Sequence, residues 1–218
     1  MTLLTGPGPT RRQFQQRFVG FARQHKWFGK TLNAITFSRS RKVVSYFEPF
    51  LPKQGRLLDI GAGTGHVAVL LQGPDRTVIG CDIMNLLMLP LPYVLADGGQ
   101  LPFLDASFEA ALLITVLHHV SKSFHSRFLV EAARVLKPGG ALIVMEDTFH
   151  SAVERAICKF SDSIMNGEFA GHPHANRTLA EWVDLMTQAG FHVQHQVEHV
   201  AWYGTFRMRH GIAVGVRK

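Results

Sequence analysis

The sequence has few cysteines and no long apolar run, and these absences exclude several classes of protein. Two cysteines, Cys81 and Cys158, occur in 218 residues, too few for a disulfide framework or a cysteine-rich zinc site. The longest apolar runs, at 86–96 and 110–117, are too short to cross a bilayer. No positively charged segment followed by an apolar core is seen near the N-terminus, so no signal peptide is predicted. We therefore expect a soluble, cytoplasmic protein whose thiols are reduced.

Acidic residues are almost missing from the first part of the chain. Glu48 is the only acid before the first predicted strand, although the chain as a whole has a formal net charge of +7. The cations of this region are Arg11, Arg12, Arg17, Arg23, Lys26, Lys30, Arg39, Arg41 and Lys42. No dense basic block with interleaved base-stacking aromatic residues occurs, so a nucleic-acid partner is not expected. A solvated helix face explains the charge, and peripheral contact of these basic helices with a membrane is the alternative.

Length and composition predict one folded unit. Hydrophobic residues make up 46% of the chain and charged residues 18%, which is enough for a core and argues against disorder. Residues 1–50 are predicted to form a Gly/Pro-rich tail and two helices, at Arg11–Phe28 and at about Arg39–Phe50. Residues 51–218 are predicted to form the domain itself.

A glycine-rich turn between a strand and a helix is the most informative stretch. Arg56–Ile60 is a short apolar run typical of a strand covered on both faces, and His66–Leu71 has an apolar helical pattern. Between them the sequence reads Asp-x-Gly-x-Gly-x-Gly, from Asp59 to Gly65. A phosphate-binding loop would need Gly-Lys-Ser/Thr, and a dinucleotide-binding turn would need a glycine where His66 stands. Glycines let a ligand approach the backbone, although a purely structural turn is the alternative.

Two further acidic residues follow buried strands. Thr77–Asp82 is an apolar strand that ends in Asp82, and an acid about one β-α-β step after the glycine turn can accept both ribose hydroxyls. The segment 85–92 is short and contains two prolines, which disfavour a helix. Tyr93–Asp97 is predicted as a third strand that ends in Asp97, and a turn aspartate before two glycines is the structural alternative.

Two strands in the second half of the chain end in residues that can move a proton. The most apolar strand, Ala110–Leu117, is followed by His118 and His119, and the fifth predicted strand ends in Glu146-Asp147. Neighbouring parallel strands deliver their C-terminal residues to one crevice. His118, His119 and Asp147 (or Glu146) are therefore expected to converge. A neutral histidine can take a proton from a hydroxyl while a carboxylate orients it, unless the histidines only shape the pocket.

These motifs, in this order, resemble those of the class I S-adenosylmethionine-dependent methyltransferases, and in particular the ubiquinone-biosynthesis-type group that methylates small molecules. The likeness covers roughly residues 40–217. It rests on the glycine-rich turn, on Asp97-x-x-x-Leu-Pro-Phe, on Leu-His-His at 117–119 and on Arg-Val-Leu-Lys-Pro-Gly-Gly at 134–140. It implies an α/β fold with a Rossmann-like, doubly wound sheet of seven strands, one of them antiparallel, and helices on both faces.

The resemblance also implies a site for S-adenosylmethionine as cofactor. Asp59 and the glycines would hold its amino-acid end, Asp82 its ribose and Asp97 its adenine. The N-terminal helices would cap the cofactor pocket, and an insertion at about 148–177 would lie over the active site and set substrate choice. The implied cofactor-binding residues are Asp59, Gly61, Ala62, Gly63, Gly65, Asp82, Ile83, Asp97, Gly98 and Thr115, and the catalytic candidates are His118, His119 and Asp147.

The implied reaction is transfer of a methyl group to oxygen or carbon of a small or lipidic acceptor, with release of S-adenosylhomocysteine. An RNA or protein methyltransferase is one alternative, against which the absence of an Asn-Pro-Pro-Tyr or cysteine-based motif counts. A non-catalytic, methyltransferase-like binding subunit is another. No metal is expected, because the His-x-His at 172–174 has no completing carboxylate or cysteine. His195, His199 and His210 alternate with apolar residues and are expected on the solvent face of strands.

Overall fold

A single mixed sheet forms the centre of the molecule. The computed structural model describes residues 9–156, 175–203 and 206–218, with side chains described for 15–156, 175–200 and 209–218. Within these ranges the sheet has seven strands. They are β1 (Gly55–Ile60), β2 (Arg76–Asp82), β3 (Tyr93–Leu95), β4 (Phe108–Ile114), β5 (Leu136–Thr148), β6 (Phe191–Tyr203) and β7 (Phe206–Arg217).

The strand order is that of a doubly wound fold. It runs β3-β2-β1-β4-β5-β7-β6. The first five strands pair in parallel, and β7 pairs antiparallel with both β5 and β6. The predicted sheet with one antiparallel strand is therefore confirmed. The chain reverses its direction of winding between β1 and β4, and ligands of such sheets bind outside the carboxyl ends of the strands at this point.

Helices cover both faces of the sheet. They are α1 (Pro9–Gln24), α2 (Lys26–Phe47), α3 (His66–Leu71), α4 (His125–Val135) and α5 (Leu179–Gln188), with short 3-10 turns at Glu48–Phe50, Leu117–His119 and Lys122–Phe124. Residues 152–156 are also helical. A capping box begins α5, since Thr178 and Glu181 exchange side-chain and backbone hydrogen bonds.

The central strand β4 is almost entirely apolar in sequence and is covered on both faces. Leu112 and Leu113 point to opposite faces of the sheet, and neither is exposed to solvent. Leu113 belongs to a cluster with Leu129 of α4 and Trp182 of α5. Leu112 belongs to a cluster with Phe47 of α2. A strand covered on both faces needs apolar side chains at every position, which removes the alternating pattern of a half-exposed strand.

The N-terminal helices differ from the prediction in where they break. The expected gap between about residues 29 and 38 is helical, and the chain breaks at His25 instead. Gly29 explains part of the difference, because a Cβ there would lie 2.4 Å from the carbonyl oxygen of Ala22. The glycine lets α1 and α2 pack closely, and this contact outweighs its low helix propensity.

Two other predictions have mixed outcomes. The proline-containing segment 85–92 is not helical, as expected. The predicted insertion at about 148–177 is described only at 148–156 and 175–177, and the His-x-His at 172–174 lies outside the described residues. In the part of the chain that is described, no helix has the length and apolarity needed to cross a membrane.

Candidate active site

The glycine-rich turn lies at the carboxyl end of β1 and is tied to β2. The amides of Gly61 and Ala62 both donate to the carbonyl of Cys81, at 2.8 and 3.0 Å. Gly61, Gly63 and Gly65 have φ angles of +81°, +50° and +83°, which favour glycine. A Cβ on Gly61 would lie 2.4 Å from Val116 Cγ2, whereas among described atoms a Cβ on Gly63 would come near only the Gly61 carbonyl oxygen, at 3.9 Å. The backbone of Gly63 thus leaves room for a ligand.

Asp82 fixes the geometry of this turn from the end of β2. One carboxylate oxygen accepts the amide of Gly63 at 3.1 Å, and the other accepts the amide of Met84 at 3.1 Å. Ile83, which stands between Asp82 and Met84 in the chain, is partly buried and packs against a small cluster that includes Val19 of α1. The acid therefore joins the two loops that a ligand at this edge would touch.

Asp59 is buried at the end of β1. Its side chain is 3% exposed. Burial, followed by the nearby charge of Asp82, raises the pKa of its carboxyl to about 7. A cation placed beside this carboxyl group would stabilise its charged form, which burial disfavours.

Asp97 follows β3 and completes a row of acids. Its Oδ1 accepts the amide of Gly99 at 2.9 Å. Gly98 is closely packed, since a Cβ there would lie 2.5 Å from the ring of Phe128. Asp59, Asp82 and Asp97 therefore stand at the carboxyl ends of three strands that are adjacent in the sheet. This row beside a glycine turn fits a ligand that combines a positive charge with hydroxyl and amino groups.

Thr115 has a left-handed backbone conformation directly after β4. Its φ is +54°, a region that residues with a Cβ rarely adopt. Its amide donates to the carbonyl of Met145 at 2.7 Å. The chain then turns into the 3-10 turn Leu117–His119, which replaces the predicted last residues of the strand. Such strain is common at functional sites, and here it redirects the chain toward the histidines.

His118 and Glu146 form a buried pair at the ends of β4 and β5. His118 Nδ1 lies 2.6 Å from Glu146 Oε2, and both side chains are almost fully buried. Glu146 Oε1 also accepts the amides of Val116 and Leu117, at 2.8 and 2.6 Å. The rings of His118 and His119 lie 3.8 Å apart. With Nδ1–H donating to the carboxylate, the neutral His118 ring carries its lone pair on Nε2.

Asp147 does not take the place expected for it beside His118. Adjacent strand residues point to opposite faces, and Asp147 Oδ1 lies 2.6 Å from Nδ1 of His210, which is fully buried. Burial acts to raise the pKa of Asp147, but the interactions with His210, and then with His118 and Arg39, hold it below its ordinary value. Of the two carboxylates at the end of β5, Glu146 is the one in contact with His118.

The prediction of a solvent face for the strand histidines is wrong for His210. It is fully buried beside Asp147, because the register of β5 and β7 places the two residues opposite each other. His195 and His199 are partly buried, and their rings stack on Phe50 and Tyr46, at 4.6 and 4.2 Å between centroids. Aromatic side chains of and after α2 thus cover this part of the sheet.

His125 braces the turn that carries His118. Its Nε2 lies 2.8 Å from the carbonyls of both Leu117 and Val120, and its Nδ1 accepts from Arg177 Nε at 3.0 Å. The amide of Ala175 in turn donates to the carbonyl of His118 at 3.0 Å. This role is not visible in the sequence, where His125 has the pattern of an ordinary residue at the start of a helix.

The N-terminal helices contact residues next to the glycine turn. His66 Nε2 lies 3.1 Å from Asn33 Oδ1 of α2, and its Nδ1 lies 2.9 Å from Thr64 Oγ1. Burial lowers the pKa of His66, so the neutral ring can donate to Asn33 and accept from Thr64. From α1, Arg23 Nε donates to the carbonyl of Leu87 at 3.1 Å. Asn33 was not recognised in the sequence, because nothing local links it to the turn.

Among the described residues, no group of three or more histidine, cysteine or acidic side chains could hold a metal ion. His150, at the start of the predicted insertion, lies 2.6 Å from Glu198 Oε2. Glu198 also accepts the hydroxyl of Thr148 at 3.0 Å. This group lies on the opposite face of β5 from Asp147.

Several proteins of similar sequence are named as methyltransferases. A family model described as a methyltransferase domain matches residues 58–144. The ubiquinone/menaquinone biosynthesis C-methyltransferase of Syntrophotalea carbinolica is 34% identical over 193 residues, which cover 76% of this chain and 81% of that protein. The demethylmenaquinone methyltransferase of Tropheryma whipplei (strain Twist) is 28% identical over 164 residues, 67% of each chain.

A crystal structure of a SAM-dependent methyltransferase from Thermotoga maritima is similar over almost the whole chain. The likeness has a TM-score of 0.63 at 25% identity and covers 95% of this chain and 100% of that one. The residues matched by the family model include the glycine turn, Asp82, Asp97 and His118, whereas Glu146 lies just beyond them.

Proposed function

Because the chain belongs to the class I S-adenosylmethionine-dependent methyltransferases, we propose that it methylates a small lipidic acceptor with an ionisable ring hydroxyl, such as a quinol or phenol. The observation that carries the proposal is the buried pair of His118 and Glu146, 2.6 Å apart, beside the row of strand-terminal acids. Two similar proteins are named as methyltransferases of quinone biosynthesis. Their names support the acceptor class and favour methylation at carbon.

The cofactor is assigned to the edge formed by β1, β2 and β3. The residues there fit S-adenosylmethionine, because Gly63 leaves room at the backbone and carboxylates suit its ammonium, sulfonium and ribose groups. We assign the amino-acid end to Asp59 and the glycine turn, the ribose to Asp82 and the adenine to Asp97 and Gly98. Ala62, Ile83 and Thr115 are assigned as further contacts. When bound, the cofactor supplies an electrophilic methyl group.

The protein supplies a base. We assign to Nε2 of His118 the proton of the acceptor hydroxyl, and the resulting phenolate has an electron pair available on its oxygen and on the ring carbon beside it. Either atom can then accept the methyl group, with the methyl–sulfur bond broken and S-adenosylhomocysteine as the leaving group. Glu146 holds Nδ1–H and stabilises the imidazolium. For methylation at carbon, the proton on that ring carbon is lost to water and the oxygen regains a proton from the His118 imidazolium, which restores the aromatic ring. His119 is proposed to contact the acceptor next to His118. Asp147 is proposed to have a structural role on the other face of the sheet, through its contact with His210.

Cofactor affinity is expected to depend on the ionisation of Asp59. The pKa of this group in the ligand-free protein is about 7, and a bound cation favours its charged form. The affinity for S-adenosylmethionine should therefore rise with pH up to about 7 and level off above it. Calorimetric titrations across this pH range would show the rise in the wild type and its loss in Asp59→Asn. An unchanged pH dependence in the variant would contradict the assignment.

The same variant is expected to be more stable than the wild type when ligand-free. Asp59 has a folded-state pKa above its ordinary value of 3.8, so between these values the folded state holds a proton that the unfolded state has lost. The stability of the folded state relative to the unfolded state is therefore unaffected by this group below pH 3.8, and it falls as the pH rises from 3.8 through about 7. Urea unfolding above that pH should show Asp59→Asn gaining on the order of 2–4 kcal/mol.

The acceptor class is tested with labelled S-adenosylmethionine. The wild-type protein would be incubated with a short-chain quinol, with total RNA and with a protein extract, and the methyl label would be followed into each. Label in the quinol alone is expected, and mass spectrometry of the product distinguishes O- from C-methylation. Label in RNA or protein and none in the quinol would replace the proposed acceptor by one of these alternatives.

A further inference from the structure

The net positive charge of the chain comes from its N-terminal segment. Nine of the 23 lysine and arginine residues lie within residues 1–47, and none of the 16 acidic residues does. The first 47 residues therefore have a formal charge of +9 and the rest of the chain has −2. A charge asymmetry of this size gives the molecule one strongly positive side.

The same helices expose large apolar side chains. Trp27 is 80% exposed, Ile35 64%, Phe21 49% and Phe18 41%. Residues of α2 are exposed at 26–27, 30–31, 34–35, 38–39, 41–42 and 45, a spacing of three and four that places them along one broad side of the helix. We call Phe18, Phe21, Trp27 and Ile35, with the exposed cations Arg17, Lys26, Lys30, Arg41 and Lys42, the basic aromatic face.

The aromatic part of this face is organised around the junction of α1 and α2. The ring of Phe28 makes edge contacts with Phe18 and Phe21, at 5.8 and 5.4 Å between centroids, and Phe21 also lies 4.0 Å from the ring of His25. Trp27 adjoins this group in sequence and is far more exposed. Val19 and Ala22 of α1 are buried, so the inner side of the helix is already used for packing.

We propose that the basic aromatic face docks on the surface of an anionic phospholipid bilayer. Helices that combine lysine and arginine with exposed tryptophan and phenylalanine lie in the headgroup region of membranes. Cations there are attracted by the anionic lipids, and tryptophan favours the boundary between headgroups and acyl chains. A nucleic acid would use the charge, but it would leave Ile35 and the phenylalanines without a reason to be exposed.

Docking has a consequence for the active site. The two helices contact the proposed cofactor loops through Asn33–His66, Arg23–Leu87 and the packing of Val19 on Met84. A membrane bound to their outer side therefore lies next to the proposed cofactor loops. A lipidic acceptor can then reach the site from the bilayer. This consequence rests on the proposed function, whereas docking itself does not.

The test is sedimentation of the full chain with vesicles, in the absence of cofactor and acceptor. Binding is expected to vesicles of phosphatidylcholine mixed with phosphatidylglycerol, to weaken with added salt and to be far weaker with phosphatidylcholine alone. Trp27→Ala is expected to reduce binding about tenfold, and the double change Lys26→Glu and Lys30→Glu about a hundredfold. All these positions are exposed, and circular dichroism would verify that each variant is folded.

Matched controls test whether a loss of vesicle binding is specific to the basic aromatic face or follows from any change of charge or exposed apolar area. Leu104 is 83% exposed and lies outside the basic aromatic face, so Leu104→Ala controls for Trp27→Ala. The double change Lys53→Glu and Lys218→Glu alters charge equally at two exposed positions elsewhere. Both controls should bind as the wild type does.

Three results would overturn the proposal. They are no binding to anionic vesicles, equal loss in the control variants, and binding to RNA without binding to vesicles. Methylation of a water-soluble quinol is measured separately. If the protein methylates the quinol but does not bind vesicles, only the membrane-docking proposal is rejected. If it binds vesicles but does not methylate the quinol, only the proposed acceptor is rejected.

Discussion

Replacing Glu146 by glutamine is expected to lower kcat by about a hundredfold while KM for the cofactor changes little. The carboxylate accepts Nδ1–H of His118 at 2.6 Å, so it both orients the ring and stabilises its protonated form. General base catalysis contributes about 10²–10⁴-fold, and a neutral amide retains only part of it. The acid limb of the kcat–pH profile should also move to lower pH, since an imidazolium is less stable beside an amide than beside a carboxylate.

Glu146→Gln should also reduce stability, and the control must allow for this. The amides of Val116 and Leu117 lose a charged acceptor, a cost of about 1–3 kcal/mol. Glu109→Gln is the matched control, because Glu109 accepts the amide of Arg56 at 2.6 Å at the opposite end of the strands. It should leave kcat and its pH profile unchanged. An unchanged kcat in Glu146→Gln would show that the histidine pair is not the base.

Asp82→Ala is expected to weaken binding of S-adenosylhomocysteine by about 30- to 1,000-fold. Hydrogen bonds from the ribose hydroxyls to a charged group contribute about 2–4 kcal/mol. The variant also loses the acceptor that holds the amides of Gly63 and Met84, so the glycine turn becomes less well fixed. Calorimetry measures both the affinity and the enthalpy.

The control for this variant is Asp184→Ala. Asp184 is an exposed residue of α5, on the face of the sheet away from α2. Its removal should leave the affinity unchanged. If Asp82→Ala bound as tightly as the wild type, the ribose would have to lie elsewhere.

The cofactor side of the site could be predicted because its signals are local. Asp59, Gly61, Gly63 and Gly65 are close in sequence, and Asp82 and Asp97 follow at or just after the ends of the next two strands. Two other nucleotide-binding turns are rejected because Gly-Lys-Ser/Thr is missing and because His66 stands where a dinucleotide-binding turn has glycine. In the structure these residues lie together at one edge of the sheet, as a parallel fold requires.

The proton-transfer side could not be resolved from sequence. Glu146 and Asp147 are neighbours, and only the orientation of β5 decides which of them contacts His118. The left-handed turn at Thr115 also changes the path of the chain before the histidines. The burial of His210 depends on its pairing with Asp147 across β5 and β7, a contact between residues far apart in the chain.

The most direct measurement is calorimetric titration of S-adenosylhomocysteine into the wild-type protein beside Asp82→Ala. The site described here predicts one molecule bound per chain and a weakening of at least about 30-fold in the variant. Absence of binding to the wild type, or equal affinity in the two proteins, would contradict the assignment of the glycine turn and its acids as the cofactor site.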